Sequence, residues 1–424
     1  MAVAERVEDG SKIPDPGPLP LFLYLALIIT PPVIVLATHF DHDLNVSLLF
    51  FLAELFVVAI ASIAVWENRR TITAPRRSSV FLALTVLAVS LFAALHHARA
   101  PDLALGHLAI TLTHFALATT ITALLGGVWR NQRRPLLFAM TAAAASQILA
   151  TFVVIYLGSS DPFFDWKVFH AGAGNVRQLG FVAITLCALS AALAFSSAGK
   201  VRWICLAGFL LSLVFTNMIG GRAAFVANIV TLAAVVYLAD PAKWARNAIM
   251  VSLVFTAAIP LSLIYSAPDP NWGFWRIIGR MNDSPEATDF SSGRFAIWKE
   301  AIELILQRPL LGHGEAQYKF YAQDGLGPFN HPHNLLLQFL FQWGLIGTAA
   351  ALLIALGVAR RALPKIATQR SIIVSAGAVV LAMVVMGSLD GNFFYPQPMM
   401  IVALSLAVMA SASPPLCRNS PQKD

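Results

Sequence analysis

Residues 329 to 334 read Phe-Asn-His-Pro-His-Asn and lead into a stretch, Leu335 to Leu356, apolar enough to enter a membrane. Two imidazoles at such a boundary can move a proton. Proline is favoured at the first position of a helix, so the spacing predicts that Pro332 begins one, with His331 at its cap and His333 and Asn334 in its first turn. The positive end of the helix dipole then favours a neutral imidazole at His333, a form that accepts protons. No metal is expected on this pair, because a third ligand has no evident position and no cysteine is near in sequence. Two arginines stand at comparable places. Arg294 opens the periodic stretch RFAIWKEAIELILQ, where a cation opposes the helix dipole but can bind a phosphate together with free helix amides. Arg222 follows Gly220 and Gly221 at the start of another apolar run.

Groups of this kind must be positioned by membrane helices. Hydrophobic residues make up 58% of the 424 positions and charged residues 12%, against roughly 25% charge in a soluble domain. The mean hydropathy is +0.70. The net charge of +7 comes from arginines and lysines clustered between apolar runs, so it reads as a topology signal and excludes a nucleic-acid-binding role. About 20 apolar residues cross a bilayer, and such runs lie near 20–38, 46–66, 79–96, 107–128, 135–157, 179–196, 203–219, 222–239, 247–266, 333–357, 371–388 and 398–412. The expected fold is all-α, a polytopic membrane protein of about twelve transmembrane helices. Gly220 and Gly221 separate two short spans.

Charge orients the array, because cytoplasmic loops collect arginine and lysine. Arg69, Arg70, Arg76 and Arg77, then Arg130, Arg133 and Arg134, then Lys200 and Arg202, Lys243 and Arg246, and Arg360, Arg361, Lys365 and Arg370 all fall on one side. Both tails belong to that side, so both termini are expected in the cytoplasm. The organisation follows: residues 1–266 hold helices one to nine, 267–332 form a long outer loop, and 333–424 hold the last three helices and a cytoplasmic tail. The first span reads as a retained anchor. Cys187, Cys205 and Cys417 imply no disulfide framework.

The unusual polar residues gather on the outer side: Asp161, Asp165, Lys167, His170, Asn175, Arg177 and Gln178 in one loop, Arg222 in another, the long loop, and Asp390 with Asn392. Transporters hold such groups at mid-bilayer. Here the middles of the spans read as nearly free of charge, which favours chemistry at the outer face, with a transporter or flippase as the alternative of another class. Within the long loop, Phe295, Trp298, Ile302 and Ile305 recur at helical spacing and the pattern stops at Arg308 before Pro309, predicting an amphipathic helix along the membrane surface. Trp272, Trp275 and Trp298 read as interface anchors. His96, His97, His107 and His114 read as solvated loop or packed helix residues.

The stretch HNLLLQFLFQWGLIG has His-Asn, nine residues, Gly344, two residues and Gly347; GRFAIWKEAIELILQRPLLGHG has Arg, Trp, a helix and Pro-Leu-x-Gly-x-Gly. Together with the span-opening GGRAAFVA, they resemble the bacterial O-antigen ligase family, within the wider group of O-antigen polymerases and protein O-oligosaccharyltransferases. The strong likeness covers Ser291 to about Leu353. It implies an inner-membrane enzyme facing the periplasm that moves a polysaccharide from undecaprenyl pyrophosphate to a sugar hydroxyl of lipid A-core, inverting, without metal or cofactor. Carried onto this chain, the resemblance makes His333 the base, with His331 as a possible substitute, and has Arg222 and Arg294 hold the pyrophosphate. Arg177 and Gln178 in GNVRQLG would line the same cavity, as would Asn334; Asp390 in SLDGNFF would be structural or orienting. The partners implied are the lipid-linked O-antigen, the lipid A-core acceptor and membrane lipid. O-antigen polymerase or protein O-oligosaccharyltransferase activity would use the same donor. Asp41 to Asp43, reading Asp-His-Asp, reads as a polar loop; its alternative is the acidic metal site of another class of lipid-linked glycosyltransferases.

Overall fold

The computed structural model describes residues 17–41, 43–69, 78–158, 179–264, 273–278, 294–322 and 329–412. The chain runs through α1 (Leu19–Phe40), α2 (Val46–Glu67), α3 (Ser78–Leu95), α4 (Pro101–Gly126), α5 (Arg133–Gly158), α6 (Leu179–Ser196), α7 (Gly199–Ile219), α8 (Arg222–Leu238) and α9 (Trp244–Leu263). Three short or surface helices follow, α10 (Phe274–Ile278), α11 (Arg294–Gln307) and α12 (Tyr318–Tyr321), then α13 (Leu335–Ala362), α14 (Ile366–Leu389) and α15 (Pro396–Ser411). No strand occurs among the described residues. The protein is an all-α polytopic membrane protein. Among the described residues, eight helical segments are long and apolar enough to cross a membrane, one of them joining α13 to α14, and three shorter apolar helices lie among them.

Burial sorts these helices by sequence. A helix that is apolar all round is stable only when covered on every side, and α6 is such a helix: every residue from Leu179 to Phe195 is buried. It packs against α7, α8 and α14. In α1, α2 and α9 a large share of apolar side chains points outward, among them Phe22, Leu52, Phe56 and Leu253, as lipid-facing helices require. The spans are not as free of charge as their composition suggests. Glu54 of α2 is fully buried and meets His114 Nδ1 of α4 at 2.7 Å, so the cost of burying a carboxylate is offset by a partner on the neighbouring helix.

Residues Pro309–Gly314 form a splice with α13. At Gly344 the backbone of α13 turns to φ 63°, ψ −172°, which interrupts the helical hydrogen-bond ladder. The segment after α11 fills the gap: Leu345 N–H donates to Pro309 O at 2.7 Å and Ile346 N–H to Leu310 O at 3.2 Å, while His313 N–H and Gly314 N–H donate to the carbonyls of Phe341 and Gln342 at 2.8 and 3.0 Å. Four backbone groups of α13 beside the break thus find partners in this segment, as irregular backbone among membrane helices requires. The approach is so close that a Cβ on Gly344 would overlap the Leu310 carbonyl, and one on Gly312 would overlap Gln342 and Gly344. On the other side, Ser90 of α3 donates to Trp343 O at 3.0 Å, and Gly347 leaves room for Ser90.

Two expectations need correction. The face of α11 that packs inward is Ile297, Ala301, Leu304 and Ile305, against α13 through Phe341; Phe295 and Ile302 lie on the outer face, exposed. The helix carries apolar residues on two sides, and the sequence pattern picked out mainly the outer one. The second correction concerns the start of α13. Pro332 does not begin the helix: Asn334 is its cap, with its side chain accepting from Leu336 N–H at 3.0 Å and Leu337 N–H at 3.1 Å. His331 and His333 precede the helix in a turn, and His333 takes a left-handed backbone at φ 53°. An asparagine cap satisfies two orphan amides, which outweighs the preference for proline at the first position.

Candidate active site

Five segments bring polar side chains to one end of the bundle. Gly220 ends α7 in a left-handed conformation at φ 59°, and Gly221 caps α8, so Arg222 is the first helical residue of α8. The short α10 lies over this hinge, close enough that a Cβ at Gly220 would meet the Gly273 carbonyl. Arg294 is the first residue of α11. The turn of Asn330 to His333 comes before α13, and Asp390 ends α14. These elements enclose a cavity of about 310 Å³ whose lining includes Arg222, Arg276, Arg294, Asn330, His331, His333, Asp390, Asn392 and Tyr395.

Asp390, at the end of α14, is joined to the turn by one contact and to α11 by another. His333 Nδ1 lies 2.9 Å from Asp390 Oδ1, and Arg294 approaches Asp390 Oδ2 at 3.7 Å. Asp390 also accepts from Gly391 N–H at 2.8 Å. Burial alone would raise the Asp390 carboxyl, but the His333 hydrogen bond and charge, Arg294 and the Gly391 amide outweigh it and bring the group down to about 2. Asp390 is therefore ionised and acceptor-only, so His333 donates its Nδ1 proton to it. In the neutral form of His333 the lone pair is then on Nε2, and no hydrogen bond from another described residue occupies that atom. Its side chain is 23% exposed, enough to meet a ligand in the cavity.

His331 plays a different part. It is buried, and its Nδ1 accepts from the backbone N–H of His333 at 3.3 Å while Tyr395 Oη stands 3.5 Å from its Nε2. Burial, then the neighbouring His333 and Arg294, push its imidazole down to about 3, although Asp390 opposes the shift. The ring fills the space that a side chain on residue 391 would need: a Cβ on Gly391 would fall within the imidazole. Gly391 has φ −95°, so glycine is required there for room rather than for backbone freedom. The sequence Asp-Gly thus serves His-Pro-His twice, the carboxylate orienting one ring and the missing side chain admitting the other.

Of the residues read from sequence, the cavity unites Arg222, Arg294, His331, His333 and Asp390. Asn334 caps α13, donates to Ser388 O at 3.0 Å and does not line the cavity. Arg177 and Gln178 lie outside the described residues. Arg276, Asn330 and Tyr395 also line the cavity without a signal in the sequence, and Asn392, one of the outer polar residues noted above, gave no sign of a role in the site. Arg276 is buried and faces the cavity from α10; it sits in a five-residue helix with no periodicity to announce it, and its tryptophan neighbours drew the reading toward an interface anchor. Asp41 and Asp43 form an exposed turn in which Asp43 N–H donates to Asp41 Oδ1 at 3.1 Å. No group of three metal-ligating side chains is assembled among the described residues.

The arrangement can take a proton at Nε2 of His333 and hold an anion against three guanidinium groups. Comparison with known families gives one match: residues 207–352 fit the model described as O-antigen ligase. No curated protein matches the chain. The matched region contains all three cavity arginines, the splice and the His331–Asn334 turn, while Asp390 and Gly391 lie beyond it.

Proposed function

The O-antigen ligase family region at residues 207–352 supports an O-antigen ligase/polymerase-type membrane glycosyltransferase in general, and from that premise we propose that this chain is a ligase. It transfers O-antigen polysaccharide from undecaprenyl pyrophosphate to a sugar hydroxyl of lipid A-core at the periplasmic face of the inner membrane. His333 Nε2 removes the acceptor proton as the acceptor oxygen forms its bond to C1 of the donor sugar. The bond from C1 to the pyrophosphate oxygen breaks, and the electron pair leaves with undecaprenyl pyrophosphate. Arg222, Arg276 and Arg294 meet the negative charge that develops there. Attack from the face opposite the pyrophosphate inverts the anomeric centre. The imidazolium, held by Asp390, then returns its proton to water.

The observation that carries this reading is the ionised Asp390 bridging His333 and Arg294 in a cavity that also receives Arg222 and Arg276. A leaving group already activated by phosphate needs charge neutralisation and alignment more than anything else. The test is transfer by the purified protein in EDTA, with lipid-linked polysaccharide as donor and lipid A-core as acceptor. Core carrying a whole chain, with its new linkage inverted, is the expected product. Elongation of the lipid-linked chain without modification of the core would assign the protein to the polymerases, and loss of transfer that a divalent cation restores would overturn the arginine-based account.

A further inference from the structure

A second convergence of cations lies at the other end of α7 and α8. A helix of this length spans about 30 Å, and the opposite ends of α7, α8 and α9, with the start of α14, surround a pocket of about 750 Å³. Arg202, Lys243, Arg246 and Arg370 line it. The lining has one carboxylate, Asp240, which Lys243 holds at 2.6 Å. Excess positive charge thus faces one hollow, and like charges at such separations repel unless an anion lies between them.

The rim indicates where the anion comes from. Trp203 is 69% exposed, Ile204 71% and Trp244 56%, so the pocket continues onto an outward apolar surface along α7 and α9. Tryptophan at the boundary of polar and apolar surroundings marks headgroup depth. A small free anion would take up only part of the pocket and leave that surface uncovered, whereas a lipid headgroup with its chains occupies the one and covers the other. Ser197 borders the same hollow; its hydroxyl accepts from Arg134 at 3.0 Å and can donate its own proton to a phosphate oxygen, whereas Ser371 donates to Ser196 and Ser196 to the Ala192 carbonyl.

We propose that this pocket binds the phosphate headgroup of an anionic phospholipid of the phosphatidylglycerol class, with the acyl chains lying over Trp203 and Ile204. Basic pockets between helices are suited to such headgroups. The proposal does not depend on the transferase reading, and its test reads lipid binding alone. Native protein in phosphatidylcholine nanodiscs should retain phosphatidylglycerol selectively on mass analysis. The triple variant Arg202→Gln, Arg246→Gln, Arg370→Gln should lose about a hundredfold in that affinity. A control that removes equal charge elsewhere, Arg69→Gln, Arg360→Gln, Arg361→Gln, should retain it. Equal loss in both variants, or loss in neither, overturns the proposal. So does inorganic phosphate stabilising the detergent-solubilised native protein as well as phosphatidylglycerol does, which would assign a soluble anion. Should the triple variant fail to fold, photoactivatable phosphatidylglycerol on the native chain decides: labelling within residues 196–204 or 240–246 supports the site, and labelling only elsewhere sinks it.

Discussion

The chain leaves regular helix at two places within ten residues of each other along the O-antigen ligase family region, and it treats them in opposite ways. At Gly344 the break is closed by backbone: Pro309 to Gly314 takes up the amides of Leu345 and Ile346 and the carbonyls of Phe341 and Gln342. At His331–Asn334 the turn is held by side chains, Asp390, Tyr395 and the Asn334 cap, and one imidazole nitrogen stays open toward a cavity. One departure from helix is scaffold, and in the reading proposed above the other is chemistry. The splice fixes α13 against α11 and α3, and so fixes where the turn points. Signature glycines and signature histidines therefore answer to different measurements, stability for the first and rate for the second.

The sharpest test of that division is the pair His333→Ala and Gly344→Ala. Loss of a general base costs about 10²- to 10⁴-fold in rate, so His333→Ala should abolish most transfer while the detergent-solubilised protein keeps its melting temperature. A melting temperature that falls as far as the rate would move the turn into the scaffold. Gly344→Ala should do the reverse. A side chain at φ 63°, ψ −172°, a region held almost only by glycine, costs roughly 1–3 kcal/mol on its own, and displacement of the Leu310 carbonyl breaks splice hydrogen bonds of about 1 kcal/mol each. Stability should drop by several kcal/mol, with the folded fraction transferring at close to the native rate. Reduced rate per folded molecule at unchanged stability would erase the contrast.

A smaller effect separates the two imidazoles. Gly391→Ala pushes the His331 ring out of its place, and with it the acceptor that holds the His333 amide. Transfer should fall about fivefold, the value of one hydrogen bond near 1 kcal/mol. His331→Asn should restore what His331→Leu loses, because the asparagine oxygen can stand where Nδ1 accepts. If leucine and asparagine at 331 behave alike, the backbone of His333 is set by something other than this hydrogen bond.

The helices were legible because hydropathy over twenty residues is a strong signal and the lipid leaves few alternatives to helix. Each of the twelve apolar runs lies on a helix, with ends shifted by a few residues. The site was legible in part. Arg222, Arg294 and His333 stand at helix starts or just before one, where a charged or ionisable residue has no packing role to explain it. Asp390 became visible through resemblance, since one carboxylate between apolar spans has several ordinary explanations. Arg276 and the buried Glu54–His114 pair were not legible, for different reasons. Arg276 sits in a helix too short for periodicity, and Glu54 gains its partner from a helix sixty residues away. The splice was hidden for the same reason as the pair: PLLGHG and WGLIG state their glycines, but only the fold states that these glycines let two backbones touch.

Acid titration offers the finest test, because the two regions respond to pH with opposite sign. In the folded turn, burial keeps His331 neutral down to about 3, whereas an unfolded imidazole binds a proton below about 6.5. The unfolded chain holds the extra proton in that window, so stability drops as pH falls through it, by up to about 1.4 kcal/mol per unit. Beside the splice, Glu315 is buried and accepts from Trp343 Nε1–H at 2.8 Å and Thr111 Oγ1–H at 2.9 Å. Burial raises its carboxyl from 4.5 to about 7, although both hydrogen bonds oppose the shift. Here the folded chain holds the extra proton, so stability drops as pH rises from 4.5 to 7. Between 4.5 and 6.5 the two slopes oppose each other, and the native melting temperature should change little from these groups. Glu315→Gln keeps an acceptor for Trp343 and Thr111 and removes the titration, leaving a protein that loses stability as pH falls below 6.5. His331→Asn leaves the other slope, a protein that loses stability as pH rises toward 7. Melting curves of the two variants that tilt the same way would mean that turn and splice share one protonation equilibrium, and the distinction between them would have to be given up.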